Sequence, residues 1–198
     1  MCEFVNLETL QLLSEVKSGV NKDEAFSELV RRYDPLMQKK VAGYFGAPAS
    51  NAREAMQEAR IALHSAALSY DVEKSESVTF GLFASVCIDN RLKSLIRESA
   101  KRSEREALTD ESERMRSAVN IESYIATKDL CARVMSVAKS VLSEFEYEVF
   151  RLSFEQYSTK DIADKLERDS KAVDNAKSRI SKKLSCDLRI REFFSIIN

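Results

Sequence analysis

Between Ser158 and Leu184 the sequence STKDIADKLERDSKAVDNAKSRISKKL carries two apolar stripes of helical period separated by a three-residue interruption, and few folds accommodate that pattern. Ile162, Ala163 and Leu166 give a short apolar face, and Val173, Ala176, Ile180 and Leu184 recur at helical spacing on a longer one. Two such faces bury themselves against each other. Glu167, Arg168 and Asp169 form a turn of about the length that sets two helices at a steep angle, and Asp169 or Ser170 is placed to cap the second helix. The expected arrangement is a helix-turn-helix whose second helix turns Ser170, Lys171, Asp174, Asn175 and Lys177 outward. In a major groove Asn175 can bond adenine bidentately and Lys171 can donate to guanine, while Arg179, Lys182 and Lys183, farther along, suit phosphates. A solvated lysine face on an ordinary helical hairpin produces the same pattern, so this segment alone leaves both readings open. Turns of this kind often contain glycine, and this one has Glu167 and none.

The rest of the chain favours helix throughout. Four glycines and two prolines in 198 residues, with 32% charged residues of mixed sign, argue against sheet and for an all-α protein. The net charge of −1 excludes a generally basic nucleic-acid coat, so any DNA affinity must come from local patches and a partner's help. Cys2, Cys87, Cys131 and Cys186 lie far apart without a CxxC pair, and His64 is the only histidine, so neither a metal site nor a cofactor is expected. No apolar stretch approaches the roughly 20 residues that span a bilayer. The start, MCEFVNLETLQ, lacks the charged and apolar regions of a signal peptide, and a soluble, cytoplasmic protein without a membrane partner is expected. There is no Gly-rich phosphate loop and no nucleophile beside His64, so the chain reads as a non-enzyme.

Two helical patterns fill residues 7 to about 42, split by SGVNKDE, with Pro35 placed to kink the second. GAPAS, residues 46 to 50, reads as a loop. Asn51 to Asp71 reads as a long helix with Ala55, Ala59, Ala62, Leu63, Ala66 and Tyr70 on one face and Glu54, Gln57, Glu58, Arg60 and His64 opposite. A further helix runs from about Phe80 to Ser99. The Arg-, Glu- and Ser-rich stretch that follows, with acidic Asp110, Glu111 and Glu113, reads as a charged linker, part helical and part flexible. The economical layout is two helical domains, 1–102 and 128–198, joined by a linker over 103–127.

Taken in order, these segments resemble the sigma-70 family of bacterial RNA polymerase sigma factors, and within it the compact sporulation-type sigma-H subgroup. AFSELVRRYDPLMQKKVAGYF (Ala25 to Phe45) looks like the opening helix of sigma region 2, EAMQEARIALHSAALSYDVEKS (Glu54 to Ser75) resembles region 2.2, and FGLFASVCIDNRLKSLIRES (Phe80 to Ser99) resembles regions 2.3 and 2.4. LSEFEYEVFRLSFEQYSTKDIADKLERDSKAVDNAKSRISKKL resembles region 4, with VDNA in the recognition helix particularly like the sigma-H subgroup. Departures from the family pattern are Glu54, Ala55 and Ala59, where aspartate, leucine and glycine are usual; Asp89, where arginine or lysine is common; and the absence of tryptophan.

The resemblance implies partners and roles. Glu54, Gln57, Glu58, Arg60 and His64 would dock on a coiled coil of the largest subunit of core RNA polymerase. Tyr70, Phe80 and Phe83 would build a stacking pocket for bases leaving the duplex, each stacked base contributing about 1–3 kcal/mol. Asn90, Arg91, Lys93, Arg97, Lys101 and Arg102 would follow duplex and non-template strand at the minus-ten element, and the second helix of the C-terminal pair would read minus-35. Promoter DNA, both double-stranded and melted, and an anti-sigma protein are the further candidate partners. Two rivals stay open at this point: a polymerase-independent helix-turn-helix regulator binding pseudo-palindromic DNA, and a sigma-like adaptor that holds core polymerase without opening promoters.

Overall fold

In a computed structural model, residues 7–46, 51–71, 78–106 and 121–187 are described, and among them the fold is all-α. Eight helices follow in order: α1 (Leu7–Ser18), α2 (Lys22–Phe45), α3 (Ala52–Ser69), α4 (Phe80–Glu106), α5 (Ile121–Val141), α6 (Glu144–Phe154), α7 (Thr159–Lys165) and α8 (Ser170–Cys186). The residues 47–50 and 72–77 of the expected loops, and Asp110, Glu111 and Glu113, lie outside the described residues.

The N-terminal four helices pack around an unusually small stripe. Ala55, Ala59, Ala62 and Ala66 on α3 are all buried, and their short side chains let α4 approach closely, making α3 against α4 the most extensive contact in the fold. Leu29, Tyr33 and Met37 of α2 and Leu82, Phe83, Ile88 and Leu92 of α4 fill the space on either side. The break between α1 and α2 uses left-handed backbone at Gly19 and Asn21, residues that tolerate it. α2 continues through Pro35, which lacks the N–H that would bond the carbonyl of Arg31.

The C-terminal half has its own sequence logic. Ser143 and Ser158 open α6 and α7 as N-caps, each in a reciprocal capping box with Glu146 or Asp161. α8 begins at Ser170 with Asp169 as its N-cap residue, but the Asp169 side chain makes no capping bond. The missing glycine of the turn between α7 and α8 is replaced by Glu167, which takes the left-handed conformation at φ 51°. Ile162 and Ala163 of α7 face Val173, Ala176, Ile180 and Leu184 of α8, as the two stripes predict.

Helix enters the expected linker from both ends. α4 extends to Glu106, because its last turns, ESAKRSERE, are rich in good helix formers even without large apolar residues, and α5 already runs from Ile121. The two halves also touch: α4 packs on α5 and reaches α6.

Candidate nucleic-acid and polymerase interface

The predicted site residues fall on three helix faces. On α3, Glu54, Gln57 and Arg60 are exposed, while Glu58 and His64 are half-buried. His64 sits edge-on to Phe26, with ring centroids 4.8 Å apart, and burial lowers its pKa. Arg60 lies 4.0 Å from Asp34 of α2. Two residues that sequence reasoning missed complete this face: Ile61 and Leu68 are 56% and 45% exposed, one turn and three turns on from Gln57. Their signal was present in the sequence, since both are large apolar residues set off the alanine stripe.

From Tyr70, at the end of α3, into α4 the predicted residues divide. Tyr70, Phe80 and Phe83 form an aromatic cluster with centroids 5.4 and 5.8 Å from Tyr70, and Tyr33 joins it 5.5 Å from Phe80. All four rings are buried, and the Tyr70 hydroxyl donates to the Val78 carbonyl at 2.6 Å. In this arrangement none of the three predicted stacking residues offers a ring face to solvent. Farther along α4, Arg91 places its guanidinium on Glu58 of α3 at 2.7 Å and on Glu98 at 3.3 Å, which joins a predicted DNA contact to a predicted polymerase contact. Asn90 donates to Thr127 of α5 at 3.4 Å and Arg97 to Ser94 at 3.3 Å. Lys93 is half-buried, Lys101 is exposed, and Arg102 continues the helix.

On α8, Ser170, Lys171, Asn175 and Lys182 are exposed, and with Ser178 the last three make a stripe at helical spacing. Asp174 and Lys177 are tied to Thr159 of α7, at 3.3 and 2.8 Å, and so bridge the two helices of the pair. Arg179 and Lys183 point back to Glu146 of α6, at 3.0 and 2.6 Å. The structure thus gathers one open stripe on α8 and commits three of its cations, Lys177, Arg179 and Lys183, to partners within the fold.

No family model matches the chain, and no solved structure does. Over 207 aligned residues the chain is 25% identical to the RNA polymerase sigma-H factor of Bacillus subtilis (strain 168), across 96% of this chain and 93% of that protein. It is 24% identical to the sigma-H factor of Bacillus licheniformis over 206 residues, across 96% and 90%. The similarity therefore spans the whole succession of helices rather than the C-terminal pair alone. Along nearly its whole length the chain is similar to RNA polymerase sigma-H factors.

Two charged clusters give this sigma-H-like chain its own character. Asp89, one of its departures from the family pattern, is buried and paired with the equally buried Lys40 of α2. Burial raises the Asp89 pKa and lowers that of Lys40, each partner opposing the other's shift, and the neighbouring Tyr44 phenol is pushed up to about 12 by burial and by Asp89. Glu146 is the second centre. Burial would raise its pKa, but hydrogen bonds from Lys183, from the Ser143 amide and from Arg179 outweigh it and hold the carboxyl at about 2. Among the described residues no group of His, Cys, Asp and Glu is arranged to hold a metal ion, and no helix is long and apolar enough to cross a membrane.

Proposed function

We propose that this sigma-H-like chain is a non-enzymatic, cytoplasmic specificity subunit that binds core RNA polymerase, reads the minus-ten and minus-35 promoter elements and helps open the DNA. The observation that carries the reading is the open stripe of Lys171, Asn175, Ser178 and Lys182 on α8, set on α7 by a short turn, at the end of a chain similar throughout to sigma-H factors. A rigid helix with amide and ammonium groups at its start suits base edges in a major groove. On α3, the rim of Glu54, Gln57 and Arg60 around exposed Ile61 and Leu68 has the make-up of a docking face, with apolar area at its centre and charge around it. Lys93, Arg97 and Lys101 on α4 supply phosphate contacts near the minus-ten element.

Run-off transcription with purified core polymerase on a library of promoter fragments tests the reading, alongside a pull-down of core. Transcripts that depend on the protein are expected. Asn175→Ala should reduce them about 5- to 100-fold, the cost of one bidentate base contact, and Gln57→Ala should weaken the pull-down. Core binding without any transcript would replace this reading with the adaptor, and no core binding would overturn both.

A further inference from the structure

The polar residues in the second half of α4 do not share one face. With 3.6 residues to a turn, Asn90, Lys93, Arg97 and Lys101 fall on one stripe, and Arg91 and Glu98 fall on another, about a quarter turn round the helix. Sequence pattern groups Arg91 with the first set as a minus-ten DNA contact. Packing turns it towards α3 instead, where its Nε donates to Oε2 of Glu58 at 2.7 Å while its Nη1 donates to Oε1 of Glu98 at 3.3 Å.

One guanidinium thus stands between two carboxylates, and Glu54 is exposed one turn before Glu58 on the same helix. Negative charge outweighs positive at this corner, which makes it a poor place for a phosphate. The Arg91 and Glu58 side chains are only 27% and 20% exposed, so salt screens their attraction less than it would an open surface pair. Glu58 lies between Gln57 and Ile61 on the face of α3 described above as a docking face. Arg91 takes its Oε2, and its Oε1 accepts no hydrogen bond from the described residues.

We infer that Arg91 is a positioning residue for docking on core polymerase, acting through Glu58, and is not a DNA contact. The inference rests on the function proposed above and reassigns one residue within it. Arg91 holds the Glu58 carboxylate in place before the partner arrives, so less side-chain freedom is lost on binding. Without the guanidinium, Glu58 and Glu98 would meet as like charges and Glu58 would swing away from Gln57 and Ile61. The cations of α4 left for phosphates are then Lys93, Arg97 and Lys101.

Equilibrium titration of purified core polymerase with the full chain tests this, together with the salt dependence with which the assembled complex binds a promoter fragment taken from the run-off screen. Arg91→Met should weaken core binding about 5- to 20-fold and leave the slope of log DNA affinity against log salt unchanged. Arg91→Lys, which keeps a cation between the carboxylates, should recover most of the loss. In a Glu58→Gln background Arg91→Met should cost core binding nothing further, because the group it acts through is already gone. Should Arg91→Met fail to fold by circular dichroism, Arg91→Gln takes its place, and if no fragment is transcribed the core titration decides alone. A purely stabilising ion pair would shift the urea midpoint of Arg91→Met and leave core affinity where it was, which would overturn the inference. So would a full further loss in the Glu58→Gln background, or a salt slope shallower by about 0.7–0.9, the mark of a lost phosphate contact. Wild type that does not bind core would overturn the sigma reading itself and this inference with it, a failure visible before any variant is made.

Discussion

Asp89 shows how a single residue that breaks a family pattern can be absorbed by its surroundings. An aspartate on the inner side of α4 would be costly alone, but Lys40 of α2 meets it and both are out of water. Removing one partner leaves an unpaired buried charge, so Lys40→Met or Asp89→Ala should lower unfolding stability by about 3–5 kcal/mol, whereas the double variant Lys40→Met/Asp89→Leu should recover most of the loss. Urea denaturation of the three proteins checks this; equal losses in single and double variants would mean that the pair does not act as a unit. Nothing local in the sequence announced the pairing. Asp89 was visible as an anomaly, but its partner stands 49 positions away on another helix, and only the packing of α2 on α4 brings them together.

At the scale of the element, the join of α6 to α8 is governed by Glu146, which closes its own helix's capping box and accepts Arg179 and Lys183. Its folded pKa of about 2 lies below the ordinary 4.5, so its contribution is present above about pH 4.5 and is lost as pH falls through about 2. Glu146→Gln should therefore cost about 2–3 kcal/mol at pH 7, with the difference from wild type shrinking steadily between pH 4.5 and 2 in denaturant titrations. The helices themselves were largely legible, because Val173, Ala176, Ile180 and Leu184, or the alanines of α3, state their period plainly. α5 was the exception. Its buried face, Cys131, Val134, Met135 and Ala138, does have a helical period, but it follows directly on a charged stretch that reads as linker, and it becomes core where α4, α6 and α8 cover it. For the same reason the site was legible as a set of faces but not as a set of partners: Arg91 on Glu58 and Arg179 on Glu146 are tertiary facts.

Across the whole molecule, buried side chains run continuously from α2 through α4 to α5, α6 and α8, and the backbone of Gly81 in α4 lies against Phe154 and the buried Glu155 at the end of α6. Calorimetry should therefore record one unfolding transition, and Glu155→Lys should split it into two as the halves uncouple; two transitions in the wild type would mean that they fold independently. The clamp on Glu146 also bears on how the whole particle answers to ionic strength. The net charge is −1, and two of the cations on α8, Arg179 and Lys183, share the single negative charge of Glu146, which offsets one of their two charges from within. A cation that stays on a carboxylate displaces no condensed counterions from a duplex. On the function proposed above, α8 would approach DNA with about one fewer released ion than its sequence counts, worth about 0.9 in the slope of log affinity against log salt, and its affinity would depend correspondingly more on the fit of Lys171 and Asn175 to the bases.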